Sequence, residues 1–111
     1  MSSNILAIGL NMNLTDQLNI AHPSRVTITE SCDEAINVLR LWDISTIVMD
    51  SGASVNVKQD IEKLLSATPI TTKIVLITPI TDVTANKEYS SLGITTITGP
   101  ISEDELEPYF H

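Results

Sequence analysis

Apolar positions along this chain alternate between short continuous runs and stretches in which they recur every three or four residues. The run that organises the pattern is ISTIVMDSG, Ile44 to Gly52. Its first half is apolar and largely β-branched, which reads as a strand buried on both faces, the usual state of a central strand in a parallel sheet. Asp50 closes the strand. It therefore stands at the carboxyl edge of the sheet, where open α/β folds hold ligands and chemistry.

The flanking sequence repeats one unit. Asn4 to Ile8, NILAI, is a first strand, with Gly9, Leu10 and Asn11 as its exit. Asn13 to Ala21 follows as a short helix, capped by Asn13, with Leu14, Leu18 and Ala21 on one face and Pro23 beyond its end. Arg25 to Thr29 is an alternating strand. Ser31 to Glu34 has capping-box spacing and opens a helix to about Trp42, with Ala35, Ile36, Leu39 and Trp42 as its inner stripe. After Asp50, Asn56 caps a helix carrying Val57, Ile61, Leu64 and Leu65. Lys73 to Thr78, KIVLIT, is another apolar strand, closed by Pro79. Asp82 to Leu92 is a polar helix with Val83, Ala85, Tyr89 and Leu92 on its apolar side, and Gly93 is placed as its C′ residue. Ile94 to Thr98 is a fifth strand, Gly99-Pro100 a turn, and Ser102 to Glu105 a second capping box. That box opens a last helix with Leu106 and Phe110, in which Pro108 is awkward in the third turn. Five strand–helix units imply a parallel sheet with helices on both faces, a three-layer doubly wound α/β fold.

Composition narrows the function classes. A chain of 111 residues suits one domain, residues 1–111, with one core. The net charge of -8, with only 6 basic residues, argues against a surface built for nucleic acid. No apolar run approaches the roughly 20 residues that span a bilayer, and the N-terminus has no signal-peptide pattern. The single Cys32 excludes an internal disulfide and a cysteine-cluster metal site, so a reducing, cytoplasmic setting is expected. Cys32, Trp42 and Tyr89 read as packing residues, with interface anchoring as the alternative for the two aromatics. His22 beside Pro23 reads as an exposed turn residue and His111 as uninformative. No Gly-rich phosphate loop follows the first strand, and no nucleophile stands beside a histidine, so a hydrolase or dehydrogenase is not expected.

With these elements in order, the chain from Asn4 to Phe110 resembles the receiver domain of bacterial response regulators. The resemblance rests on Asp50 at the end of strand three, Thr78 at the end of strand four, and Thr98-Gly99-Pro100-Ile101 where the family usually has Thr-Lys-Pro-Phe. It implies a flavodoxin-like sheet with strand order 2-1-3-4-5. The family's chemistry needs an acceptor aspartate, an acidic pair that helps hold Mg²⁺, a switch hydroxyl and a lysine. Position by position, Asp50 matches the acceptor and Thr78 the hydroxyl. The acidic pair is replaced by Gly9 and Leu10, and the lysine by Gly99. Thr96 takes the place of the switch aromatic, and Ser54 and Lys58 stand where the loop after the acceptor usually carries proline and glycine. Asn11 offers one neutral oxygen near the metal position.

Mg²⁺ is held by carboxylates and phosphate oxygens, and phosphoryl transfer depends on positioning and charge neutralisation. Losing one such electrostatic group commonly costs roughly 3 kcal/mol of barrier. The expectation is therefore a pseudo-receiver: no enzyme, no metal or cofactor, a vestigial acceptor at Asp50, and action through a protein partner, its own output domain or a homodimer. The family's usual contact face would carry Tyr89, Thr95 and Glu103 to Glu107. The chain would be the N-terminal domain of a longer signalling or transcription regulator. Asp50 itself reads as a cap for the loop that follows it, and Thr78 as a strand-end hydroxyl satisfying local backbone. Two alternatives stand beside this: an atypical phosphoreceiver on Asp50, and an anti-sigma-factor-antagonist-like domain switched at Ser51. The second meets the difficulty that such proteins open with strands before their first helix.

Overall fold

A computed structural model of the chain describes residues 4–54, 56–69, 71–78, 87, 89–99 and 101–110. Its strands are β1 (Ile5–Ile8), β2 (Val26–Thr29), β3 (Thr46–Asp50), β4 (Lys73–Thr78) and β5 (Ile94–Thr98). The helices α1 (Met12–Ala21), α2 (Cys32–Leu41) and α3 (Val57–Ala67) connect the first four strands, and a C-terminal helical segment runs Glu103–Leu106 and tightens to 3₁₀ over Glu107–Phe110. Of the expected helix at Asp82 to Leu92, Lys87 and residues 89–91 are helical. Its earlier positions, including Val83 and Ala85, lie outside the described residues, as do Pro79, Pro100 and His111.

The sheet has five strands, all parallel, in order β2-β1-β3-β4-β5. This is the flavodoxin-like doubly wound arrangement. Alternation along the central strands divides the core into two layers. Leu6, Ile8, Ile47, Met49, Ile74 and Leu76 meet the Cys32–Ala35 and Ile61–Leu64 stripes of α2 and α3. Ile5, Val48, Val75 and Ile77 meet Leu14 and Leu18 of α1 and Leu106 and Phe110 of the C-terminal segment. Consecutive strand side chains point to opposite faces, so α1 and the C-terminal segment are brought to the same side of the sheet. Full burial of a side chain such as Leu18 or Leu106 stabilises by about 1.5–3 kcal/mol.

Caps set the helix starts. Asn11, not Asn13, caps α1, its side-chain oxygen accepting the Leu14 N–H at 2.8 Å. The extended backbone of Asn11 suits a cap, and Asn13 is already inside the helix. Ser31 Oγ accepts the Glu34 N–H, but the Glu34 carboxylate reaches back one residue further, to the Glu30 N–H. Asn56 caps α3 through the Gln59 N–H at 3.1 Å. Glu105 closes the second box by accepting the Ser102 N–H at 3.0 Å. Gly93 has φ +84°, the left-handed conformation expected of a C′ residue. The awkward Pro108 falls in the 3₁₀ stretch, where the helix has already tightened.

One packing expectation fails. Trp42 follows the last turn of α2 and is 63% exposed, while the half-buried Ile36, Val38 and Leu39 complete the α2 stripe. Its backbone is extended, which swings the ring off the helix's inner face. Tyr89 does pack against the core, on the α2–α3 side. Among the described residues no helix is long and apolar enough to cross a membrane.

Candidate functional site

The carboxyl edge of the sheet gathers the residues that the sequence singled out. Register places Asp50 opposite Ile77, and Thr78 opposite Thr98, so Asp50, Thr78 and Gly99 sit on adjacent strands within one step of each other. Asp50 is half-buried and begins a 3₁₀ turn, Ser51–Ala53. Its Oδ1 accepts the Gly52 N–H at 2.8 Å, the loop-capping role expected of it. A Cβ on Gly52 would lie 3.2 Å from that oxygen, so glycine lets the carboxylate fold over its own loop. The loop is then anchored to α3, where Ser54 Oγ donates to an Asp60 carboxylate oxygen.

The end of β1 supplies no acidic side chain. Gly9 takes φ 64° and donates its N–H to Thr29 O at 2.8 Å. Leu10 packs against the core layer of α1 and the C-terminal segment. The Asn11 side-chain oxygen is engaged by Leu14. The described residues following β1 therefore do not fit Mg²⁺, which takes oxygen ligands in near-octahedral geometry.

The end of β4 departs from expectation. Thr78 Oγ1 is buried and makes no hydrogen bond among the described residues, so it does not satisfy local backbone. The Thr78 carbonyl instead accepts the Gly99 N–H at 2.6 Å. That bond draws Gly99 against β4, where a Cβ on Gly99 would lie 2.8 Å from Ile77 Cγ2. Thr96 is half-buried and paired with Leu76, which directs it to the α2–α3 face.

Two further placements bear on the sequence reading. His22 is not an exposed turn residue: only 11% of its side chain is accessible, and its ring meets Phe110 edge-on at 5.1 Å. Glu103 and Glu107 both turn toward His22, with Nε2–oxygen distances of 3.6 and 3.2 Å, while Asp104 and Glu105 stay exposed. Leu106 is buried. Sequence spacing hid this cluster because His22 and the two glutamates belong to opposite ends of the chain. The available signal was the i, i+4 spacing of Glu103 and Glu107, which puts both on one side of a helix.

No protein-family model matches the chain, and no curated protein matches it.

Proposed function

We propose that the chain is a pseudo-receiver: a receiver-like domain that signals through protein contact without phosphorylation of Asp50. The observation that carries this reading is the fit of Gly99 against Ile77. The position that a lysine would need is closed to any Cβ unless a branched, buried side chain moves. Gly9, Leu10 and the engaged Asn11 leave Mg²⁺ without its acidic pair, and one Asp50 oxygen is held by its own loop. An acyl phosphate on Asp50 would lack both of its electrostatic partners.

A contact role is supported by Leu41 and Trp42, adjacent residues that leave 78% and 63% of their surface to solvent. Tryptophans of this kind anchor interfaces. The contact would be made by a partner protein, an attached output domain or a second copy, in a reducing, cytoplasmic setting. The Ser51-switched alternative is less favoured, since a strand–helix–strand–helix order precedes Asp50.

Exposure of the chain to acetyl phosphate and Mg²⁺, followed by intact-mass measurement, tests the reading. No phosphoryl adduct is expected. An adduct removed by Asp50→Ala would establish the phosphoreceiver alternative. An adduct removed only by Ser51→Ala would establish the other.

A further inference from the structure

The cluster at the far end of α1 has the composition and spacing of a metal site. His22 ends α1 and precedes β2, so it lies toward the amino edge of the sheet, away from Asp50. One ligand atom from each of His22, Glu103 and Glu107 lies within 4.8 Å of the other two. The two distances from His22 Nε2 are 3.6 Å to Glu103 Oε1 and 3.2 Å to Glu107 Oε2. A tetrahedral shell with Zn²⁺–ligand bonds of about 2.0–2.1 Å has edges of about 3.3–3.4 Å. Both edges from His22 Nε2 are thus close to those of such a shell, and the third lies within 4.8 Å.

We propose that His22, Glu103 and Glu107 bind a divalent transition-metal ion of the zinc type, which ties the end of α1 to the C-terminal segment. Glu103 Oε1 is buried from solvent and has no hydrogen-bond partner among the described residues, with His22 Nε2 3.6 Å away. A buried charge in that position needs a cation. The cluster is also short of positive charge. Two carboxylates and a neutral imidazole would balance a dication. The site lies at the C-terminus of α1, where the helix dipole favours positive charge.

The surroundings hold the ligands in place. Phe110 fixes the imidazole plane edge-on at an interplanar angle of 85°. Gln17 Oε1 accepts the Glu103 N–H at 3.0 Å and pins the start of the C-terminal segment to α1. The Glu107 side chain is 39% exposed, which gives the ion a path from solvent and a fourth position for water. Imidazole with carboxylate suits zinc-type ions, whereas Mg²⁺ prefers an all-oxygen octahedron.

The test is calorimetric titration of the untagged 111-residue chain with Zn²⁺ at pH 7, with Co²⁺ absorption as a report of coordination. One equivalent of Zn²⁺ is expected to bind, and Co²⁺ to give the intense visible bands of a tetrahedral site. Glu107→Gln and His22→Gln, with folding verified by circular dichroism, should each weaken Zn²⁺ binding at least tenfold. Replacement of the other histidine, His111→Ala, should leave it unchanged. Glu107→Gln alone decides should His22→Gln fail to fold. Absence of saturable Zn²⁺ binding would overturn the proposal. So would wild-type affinity in Glu107→Gln, or loss of binding in His111→Ala.

Discussion

Gly99 and Ile77 are in contact so close that a Cβ on Gly99 would lie 2.8 Å from Ile77 Cγ2. Ile77 is buried in the same core layer as Val75 and Leu106, and its β-branched side chain is stiff about χ1. Gly99→Ala should therefore destabilise the fold by about 1–3 kcal/mol, the usual range for overpacking. Ile77→Ala removes the obstructing methyl. Denaturant unfolding of the two single variants and the double variant should show that Gly99→Ala adds little in the Ile77→Ala background. Additive losses would mean that the contact is not the cause.

The same relationship bears on attempts to introduce phosphorylation. Gly99→Lys should cost stability and still not allow an adduct on Asp50, because the acidic pair remains absent. Reaction with acetyl phosphate and Mg²⁺, read by intact mass, checks this.

Thr78 carries a hydroxyl without a partner among the described residues. Replacement by an isosteric apolar group removes a buried polar atom and no hydrogen bond. Thr78→Val should leave stability unchanged or raise it by about 1 kcal/mol. A loss larger than about 1 kcal/mol in chemical denaturation would mean that the hydroxyl is satisfied in solution.

Asp50 holds its loop by accepting the Gly52 N–H. Asn keeps an acceptor oxygen in that place and Ala does not. Asp50→Asn should stay close to wild type, while Asp50→Ala loses about 1 kcal/mol, the typical contribution of one such bond. Both should leave any partner binding or self-association unchanged, as measured by sedimentation and affinity against a common partner.

Cys32 donates weakly to the Asp60 carbonyl at 3.6 Å, and burial, reinforced by Asp60, pushes its thiol up to about 11 from 9.0. Two pKa units leave roughly hundredfold less thiolate at pH 8 than in a free cysteine. Alkylation of the native chain by iodoacetamide should be slowed to a similar degree and recover on unfolding. Between those two values the folded chain keeps a proton that the unfolded chain releases. This group's contribution to stability is thus complete below pH 9 and declines as pH rises toward about 11.

The fold was legible because the strands are apolar runs and the helices carry caps and stripes that agree with them. Asp50 was legible because a carboxylate at the end of a buried strand is out of character with what precedes it. Three features were not legible. The Asn11 cap could not be told from Asn13 by residue type alone, since both are asparagines near the helix start. Trp42 was placed inward by period, but the backbone leaves the helix one residue earlier. The His22–Glu103–Glu107 cluster depends on which helices share a face of the sheet. That follows only once strand order 2-1-3-4-5 puts α1 beside the C-terminal segment.

The central claim is that the carboxyl edge does not respond to a phosphoryl group on Asp50. Titration of the isotope-labelled chain with Mg²⁺ and beryllofluoride, followed by amide chemical shifts, tests it most directly, because beryllofluoride mimics that group on an aspartate. The claim requires that Asp50, Gly52, Thr78 and Gly99 stay unshifted. Saturable shifts spreading from Asp50 to Thr78 and Gly99, and lost in Asp50→Ala, would contradict it.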